Sequence, residues 1–138
     1  LEYFTPSAGG APKEIRIRIP GELVADTSNY QGVFWYNNTG ATVTISNVGF
    51  FVGLAAQGTG AAAAFNVYKS SGTSTDGINT SAVNLFTSAV DLGTSYASAT
   101  NVPNTTTVES GRWVSMRCTS SAGATRKASD AEVVITYS

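Results

Sequence analysis

A cluster of aromatic side chains is the first feature of this sequence that could bind a ligand. Four aromatic residues lie between positions 30 and 36, and such a cluster can form a platform for sugar rings. Adjacent residues of a strand point to opposite faces, so Phe34 and Tyr36 share one side and Trp35 takes the other. We therefore favour an interpretation in which one side fills the core and the other meets a neighbouring subunit or solvent. A sugar-stacking platform remains the alternative.

A pair of arginines is the second feature. Arg16 and Arg18 alternate with isoleucines, a pattern typical of a solvated strand face. The net charge is −1 and only 12% of the residues are charged, which excludes the broad positive field of a nucleic-acid-binding surface. If the two arginines bind a partner, an acidic protein surface suits them better than a nucleic acid.

The residue types needed for catalysis are largely missing. The absence of histidine excludes His-based triads, His-ligated metals and imidazole acid–base catalysis. The single cysteine, Cys118, forms no intrachain disulfide and lies in an alternating strand pattern, where we expect a small buried side chain. The nine acidic residues are scattered singly, and the run from Asp76 to Asn79 lacks the full ligand series of a calcium loop. The sequence predicts a protein that is not an enzyme and has no metal site or cofactor.

Length and periodicity predict one domain with an arm. A chain of 138 residues fits a single domain, and no run approaches the roughly 18 apolar residues of a membrane helix, so we expect no membrane insertion. Residues 1–12 lack periodicity and are predicted to form an extended N-terminal arm. Residues 13–138 are predicted to form the folded domain.

The sequence of this domain shows the alternating apolar and polar residues that are typical of β-strands. Apolar residues alternate from Ile15 to Ile19, and the apolar parity shifts across Ser46-Asn47, as a bulge or a strand-to-strand bend would produce. The alanine run at 61–64 is interpreted as the start of a buried strand rather than a helix, because glycines and an aromatic strand flank it. The fold is predicted to be all-β, a single antiparallel β-sandwich of jelly-roll or immunoglobulin-like type with seven to eight short strands. The predicted core consists of Ile15, Ile17, Val43, Ile45, Phe50, Val67, Val114, Val133 and Ile135.

One run of the sequence resembles a known module. From Phe34 to Ile45, an aromatic strand is followed by Tyr-Asn-x-Thr-Gly and an alternating Thr/Val/Ile strand, which is similar to a module of tailed-bacteriophage virion structural proteins. The likeness spans about residues 30–137, and Arg112 stands where an acidic residue is more familiar in the module. Later segments fit in the same order: Val52-Gly53, Phe65 to Lys69 with Gly72, Val108 with Gly111, and Asp130 before Val133 and Ile135.

The resemblance implies a β-sandwich in a phage structural protein on the exterior of the capsid or tail. We expect a capsid decoration (cement) protein or a tail accessory protein that self-associates, with a trimer as first choice. It would dock on other virion proteins such as the major capsid or tail proteins. The alternative is a carbohydrate-binding or receptor-binding module that contacts surface glycans. The candidate partner-binding residues are Tyr3, Phe4, Pro6, Arg16, Arg18, Trp35 and Tyr36.

Overall fold

The protein is built from strands. The computed structural model describes residues 12–23, 33–70, 83–121 and 123–138, and in this part of the chain there is no helix, so none that could cross a membrane. The described strands are β1 (Lys13–Glu22), β2 (Val33–Tyr36), β3 (Val43–Leu54), β4 (Ala63–Lys69), β5 (Val83–Asn84), β6 (Val90–Asp91), β7 (Ala97–Ser98), β8 (Thr107–Val108), β9 (Trp113–Ser120) and β10 (Ser129–Tyr137). The predicted all-β class is confirmed, and the strand at 63–69 confirms that the alanine run does not start a helix.

The strands form two antiparallel sheets. Sheet A has the order β1-β10-β3, with β7 and β8 both paired to β3, and sheet B has the order β2-β9-β4, with β5 and β6 both paired to β4. The pairing is nested, because the first strand pairs with the last and the second with the one before it. Among the described strands, β7 and β8 share one edge of sheet A, and β5 and β6 share one edge of sheet B, so together the described strands fill eight positions, four in each sheet. This nested order identifies the jelly roll as the correct one of the two predicted sandwich types.

The parity shift comes from a bulge in β3, which is one of the two features that the sequence left open. Thr136 of β10 pairs with Asn47 of β3, but the next residue, Tyr137, pairs with Ile45. Ser46 is therefore the extra residue on β3, and its hydroxyl donates a hydrogen bond to the Thr136 carbonyl at 3.2 Å. Because side chains alternate along a strand, this one residue shifts the inward parity from odd to even positions.

The core lies between the two sheets. Phe50 of sheet A stacks on Phe65 of sheet B, with ring centroids 4.9 Å apart, and meets the edge of Phe86 at 5.9 Å. Of the nine predicted core residues, eight are buried, and Ile15 is half-buried against the others because β1 is an edge strand. Cys118 is buried among them, as predicted, and burial raises the pKa of its thiol.

Candidate functional site

The outer face of sheet B carries an exposed aromatic pair. Tyr36 at the end of β2 pairs in register with Trp113 at the start of β9, and their ring centroids are 4.6 Å apart. Tyr36 is 38% exposed and Trp113 is 37% exposed. The backbone N–H of Trp113 donates to the Ser70 hydroxyl at 3.0 Å, which ties the same corner to the end of β4. We call Tyr36 and Trp113 the aromatic pair.

Trp35 points the other way. Its ring lies 5.1 Å from that of Tyr137 on β10, and it packs against the core from the edge of the sandwich. Trp35 thus connects sheet B to sheet A, and its ring is part of the inner packing. Of these two predicted contact residues, Tyr36 is the one whose side chain faces outward.

Asn37 fixes the loop that follows Tyr36. Its side chain is fully buried, and its amide Nδ2 donates to the carbonyls of Ala41 at 2.9 Å and Val108 at 2.8 Å. Its Oδ1 accepts hydrogen bonds from the backbone N–H and the hydroxyl of Thr39. The Tyr-Asn-x-Thr-Gly pattern therefore has a structural role here, because Asn and Thr close the turn and attach it to β8.

A buried lysine lies at the same end of the sandwich. The Lys69 side chain is only 8% exposed, and its Nζ donates to the Thr107 carbonyl at 2.7 Å and to the Glu109 carboxylate at 2.8 Å. The hydrogen bond from Lys69 is the main cause that lowers the pKa of Glu109. The Arg112 guanidinium also lies near Glu109 and donates to the Ser70 carbonyl at 2.7 Å. Arg112 thus belongs to an ionic cluster beside the aromatic pair, together with Lys69 and Glu109.

This ionic cluster predicts a pH dependence of stability. Because folding lowers the pKa of Glu109 below 4.5, its contribution is present above that pH and is lost as the pH falls through the folded-state pKa. We expect Glu109→Gln to lower the free energy of unfolding near neutral pH and to differ progressively less from the wild type as the pH falls through the lowered pKa of Glu109. Urea titrations at several pH values measure this, with the exposed Glu22→Gln as control. A Glu109→Gln deficit that does not shrink in acid would contradict the assignment.

The outer face of sheet A carries the predicted arginines. Arg16 donates to Glu14 at 2.7 Å and to Glu132 at 3.0 Å, and the hydrogen bond with Glu132 is the main cause that raises its pKa. Arg18 lies 3.7 Å from the same Glu132 carboxylate, but its side chain is 85% exposed. Exposed pairs of this kind contribute little stability. Arg16 is engaged within the sheet, whereas Arg18 is available to a ligand or partner.

A groove lies beside Arg18 on this face. It has a volume of about 470 Å³ and crosses the three long strands of sheet A. Its lining comes from β1, β3 and β10: Arg18, Ile19, Pro20, Phe51, Val52, Gly53, Asp130, Ala131 and Glu132. We call this depression the sheet A groove.

Several candidate residues lie outside the described part of the chain. Tyr3, Phe4 and Pro6 of the predicted arm are among them, as are Tyr30 and the segment at 76–79. Within the described ranges, no group of three or more acidic or cysteine side chains is placed to hold a metal ion.

Sequence reasoning missed Trp113 and the sheet A groove. Trp113 stands 77 positions after Tyr36 in the chain, and only the register between β2 and β9 brings the two rings together. The groove likewise depends on the register of three strands. One signal in the sequence could have indicated the groove. Gly49, Phe51 and Gly53 share one face of a strand, so a large side chain on that face lies between two positions without a side chain.

The chain has one distant structural similarity to a known protein. No family model and no curated protein matches the chain. Among solved structures, it is similar to a chain in the structure of the infectious bursal disease virus Gx strain, at 10% sequence identity and a TM-score of 0.35. The similar region covers 99% of this chain and 36% of the viral chain, so the protein spans about a third of that chain's length. A likeness this distant carries no argument about function.

Proposed function

We propose that the protein is a non-enzymatic structural component of a virus particle. The observation that carries the proposal is the nested eight-position jelly roll, an architecture of viral capsid and lectin domains. The resemblance of residues 34–45 to virion modules of tailed bacteriophages supports the narrower assignment. We infer a capsid decoration protein or a tail accessory protein on the particle exterior, which acts by self-association and by docking on other virion proteins.

The aromatic pair supplies the self-association surface in this proposal. Tryptophan and tyrosine dominate the binding energy of protein interfaces, and Tyr36 and Trp113 are held rigidly by their mutual contact. The pair lies on the outer face of sheet B at the end of an edge strand, where a neighbouring copy can reach it. A closed symmetric oligomer is the common outcome for identical chains, and a trimer is our first choice. The arm, residues 1–12, then contacts a different virion protein.

Sedimentation velocity on the full chain tests self-association. We expect a closed oligomer at tens of micromolar, and Trp113→Ala should weaken it by about 2 kcal/mol, or roughly 30-fold in dissociation constant. Tyr96→Ala is the matched control, because Tyr96 is an exposed aromatic residue elsewhere on the surface. Far-ultraviolet circular dichroism checks that each variant is folded. A wild-type chain that stays monomeric would contradict self-association.

Removal of the arm separates the two contacts. A chain that starts at Lys13 is expected to keep its oligomeric state but to lose co-sedimentation with the particle. Loss of the oligomer on arm removal would show that the arm, rather than the aromatic pair, holds the copies together.

A further inference from the structure

We propose that the sheet A groove is a binding site for a neutral saccharide. This site lies on the opposite sheet from the aromatic pair, and it goes beyond the structural role proposed above.

The register of three strands builds the groove. Arg18 of β1 pairs with Glu132 of β10, which pairs with Phe51 of β3, so these side chains form one row on the outer face. In the next row, Asp130 lies against Gly53, because the neighbouring pairs are Ala131 with Val52 and Ser129 with Leu54. The groove is the depression above this second row, with the first row as its wall.

Two glycines keep the depression open. Neither Gly49 nor Gly53 has a left-handed φ, so backbone conformation does not require glycine at either position. A Cβ at Gly49 would lie 2.9 Å from the Phe51 ring, so the ring leans over Gly49 and away from Gly53. A Cβ at Gly53 would lie 3.2 Å from that of Asp130 and would extend into the depression. The missing side chains therefore shape a cavity rather than a turn.

Asp130 is held with one carboxylate oxygen available. Its φ of 56° is left-handed, which is uncommon outside glycine and concentrates at functional positions. Its Oδ1 accepts a hydrogen bond from the Gly21 N–H at 2.9 Å, which fixes the carboxylate against β1. Its Oδ2 makes no hydrogen bond within the described part of the chain and lies 3.8 Å from the position of a Gly53 Cβ. The Asp130 carboxylate thus offers a fixed hydrogen-bond acceptor to a ligand in the groove.

The chemistry of the lining favours a neutral ligand with hydroxyl groups. Arg18 supplies donors, Asp130 and Glu132 supply acceptors, and Arg16 already balances much of the Glu132 charge. A hydroxyl group both donates and accepts, so it can satisfy both kinds of partner. Arg16, Arg18, Asp130 and Glu132 together carry no net charge, so this part of the surface favours neither a cation nor an anion.

The apolar walls and the size also fit a sugar. Phe51 and Pro20 offer apolar surface to the C–H face of a sugar ring. The volume of about 470 Å³ is within the usual range for small-molecule sites. Polar groups of both kinds beside an apolar wall are the combination that orients a small ligand in such a site.

Binding of the full chain to immobilised saccharides tests the proposal. The probes are neutral mono- and oligosaccharides of glucose, galactose, mannose and N-acetylglucosamine, with sialylated and amino sugars for comparison. Calorimetry on the strongest neutral binder then compares variants. Asp130→Asn keeps the shape, the Gly21 hydrogen bond and the tolerance of a left-handed φ, but removes the charge. We expect it to weaken binding about tenfold or more.

Further variants keep the test decisive. Arg18→Ala is also expected to weaken binding, and its exposure makes unfolding no concern. Glu14→Gln removes an equal charge on the same face but outside the groove, so its affinity should match the wild type. The proposal is overturned if no neutral saccharide binds, if only charged sugars bind, or if Trp113→Ala abolishes binding while Asp130→Asn leaves it intact. Sedimentation of the same variants reports self-association separately.

Discussion

Replacing Phe50 with alanine is expected to lower the free energy of unfolding by about 3–5 kcal/mol. Phe50 is fully buried, and its ring joins the two sheets by stacking on Phe65 and by meeting the edge of Phe86. Removing the ring leaves a cavity between the sheets that neighbouring strands cannot close without breaking their ladders. Urea denaturation followed by circular dichroism measures the loss.

The next residue supplies the matched control. Phe51 has the same side chain on the same strand, but it points to the outer face and is half-buried. Phe51→Ala is expected to cost clearly less than Phe50→Ala, because part of that ring is already in water. Equal losses at the two positions, or a larger loss at Phe51, would mean that the inward face of β3 has been assigned to the wrong parity.

Replacing Asn37 with alanine is expected to cost about 1–3 kcal/mol, because the buried carbonyl of Val108 loses its side-chain donor and the turn loses its anchor. Asn38→Ala is the control, since Asn38 is exposed in the same turn, and surface changes of that kind usually stay within about 0.5 kcal/mol. Both values come from the same urea titration. A cost at Asn37 no greater than that at Asn38 would refute the structural role assigned to the motif.

An aspartate at position 37 refines this test. Asn37→Asp places a carboxylate oxygen where Nδ2 donates to two carbonyl groups, and burial there disfavours the charged form. The folded-state pKa of the new carboxyl is therefore expected to rise above its unfolded value of about 3.9. Its penalty should be greatest near neutral pH and should shrink as the pH falls through the raised pKa. A penalty independent of pH would count against a buried donor at this position.

Most of the local structure could be predicted from the sequence. Alternation placed Ile17, Val133 and Ile135 in the core, and the parity shift at Ser46-Asn47 marked the bulge. Both follow from the two-residue period of a strand, which is a local property. The sandwich could be predicted for the same reason, since it needs only strands, polar turns and apolar faces.

The strand order could not be read from local patterns. Lys13 pairs with Tyr137, almost the whole chain away, and many registers of similar hydrophobic pattern compete for such a pairing. The choice of jelly roll over an immunoglobulin-like order therefore required the structure. The aromatic pair and the sheet A groove depend on the same long-range pairings. Strand pairing brings Tyr36 next to Trp113 and Asp130 next to Gly53, although these residues are far apart in the chain.

The motif at 36–40 shows how a resemblance and a physical role differ. The sequence predicted a turn at Tyr-Asn-x-Thr-Gly, and the same pattern carries the resemblance to a virion module. The structure adds that Asn37 is fully buried and joins this turn to the strand at 107–108. A residue that fixes a loop in this way is explained by stability, whereas Tyr36 and Trp113 are the exposed side chains beside it.

Electron cryo-microscopy of particles purified from a preparation that contains this protein tests the central claim most directly. The account predicts repeated, symmetric copies of the jelly roll on the particle exterior, with Tyr36 and Trp113 at a contact between copies. A reconstruction in which other chains account for all repeated density, with this protein recovered only in the unattached fraction, would contradict a structural role in the particle.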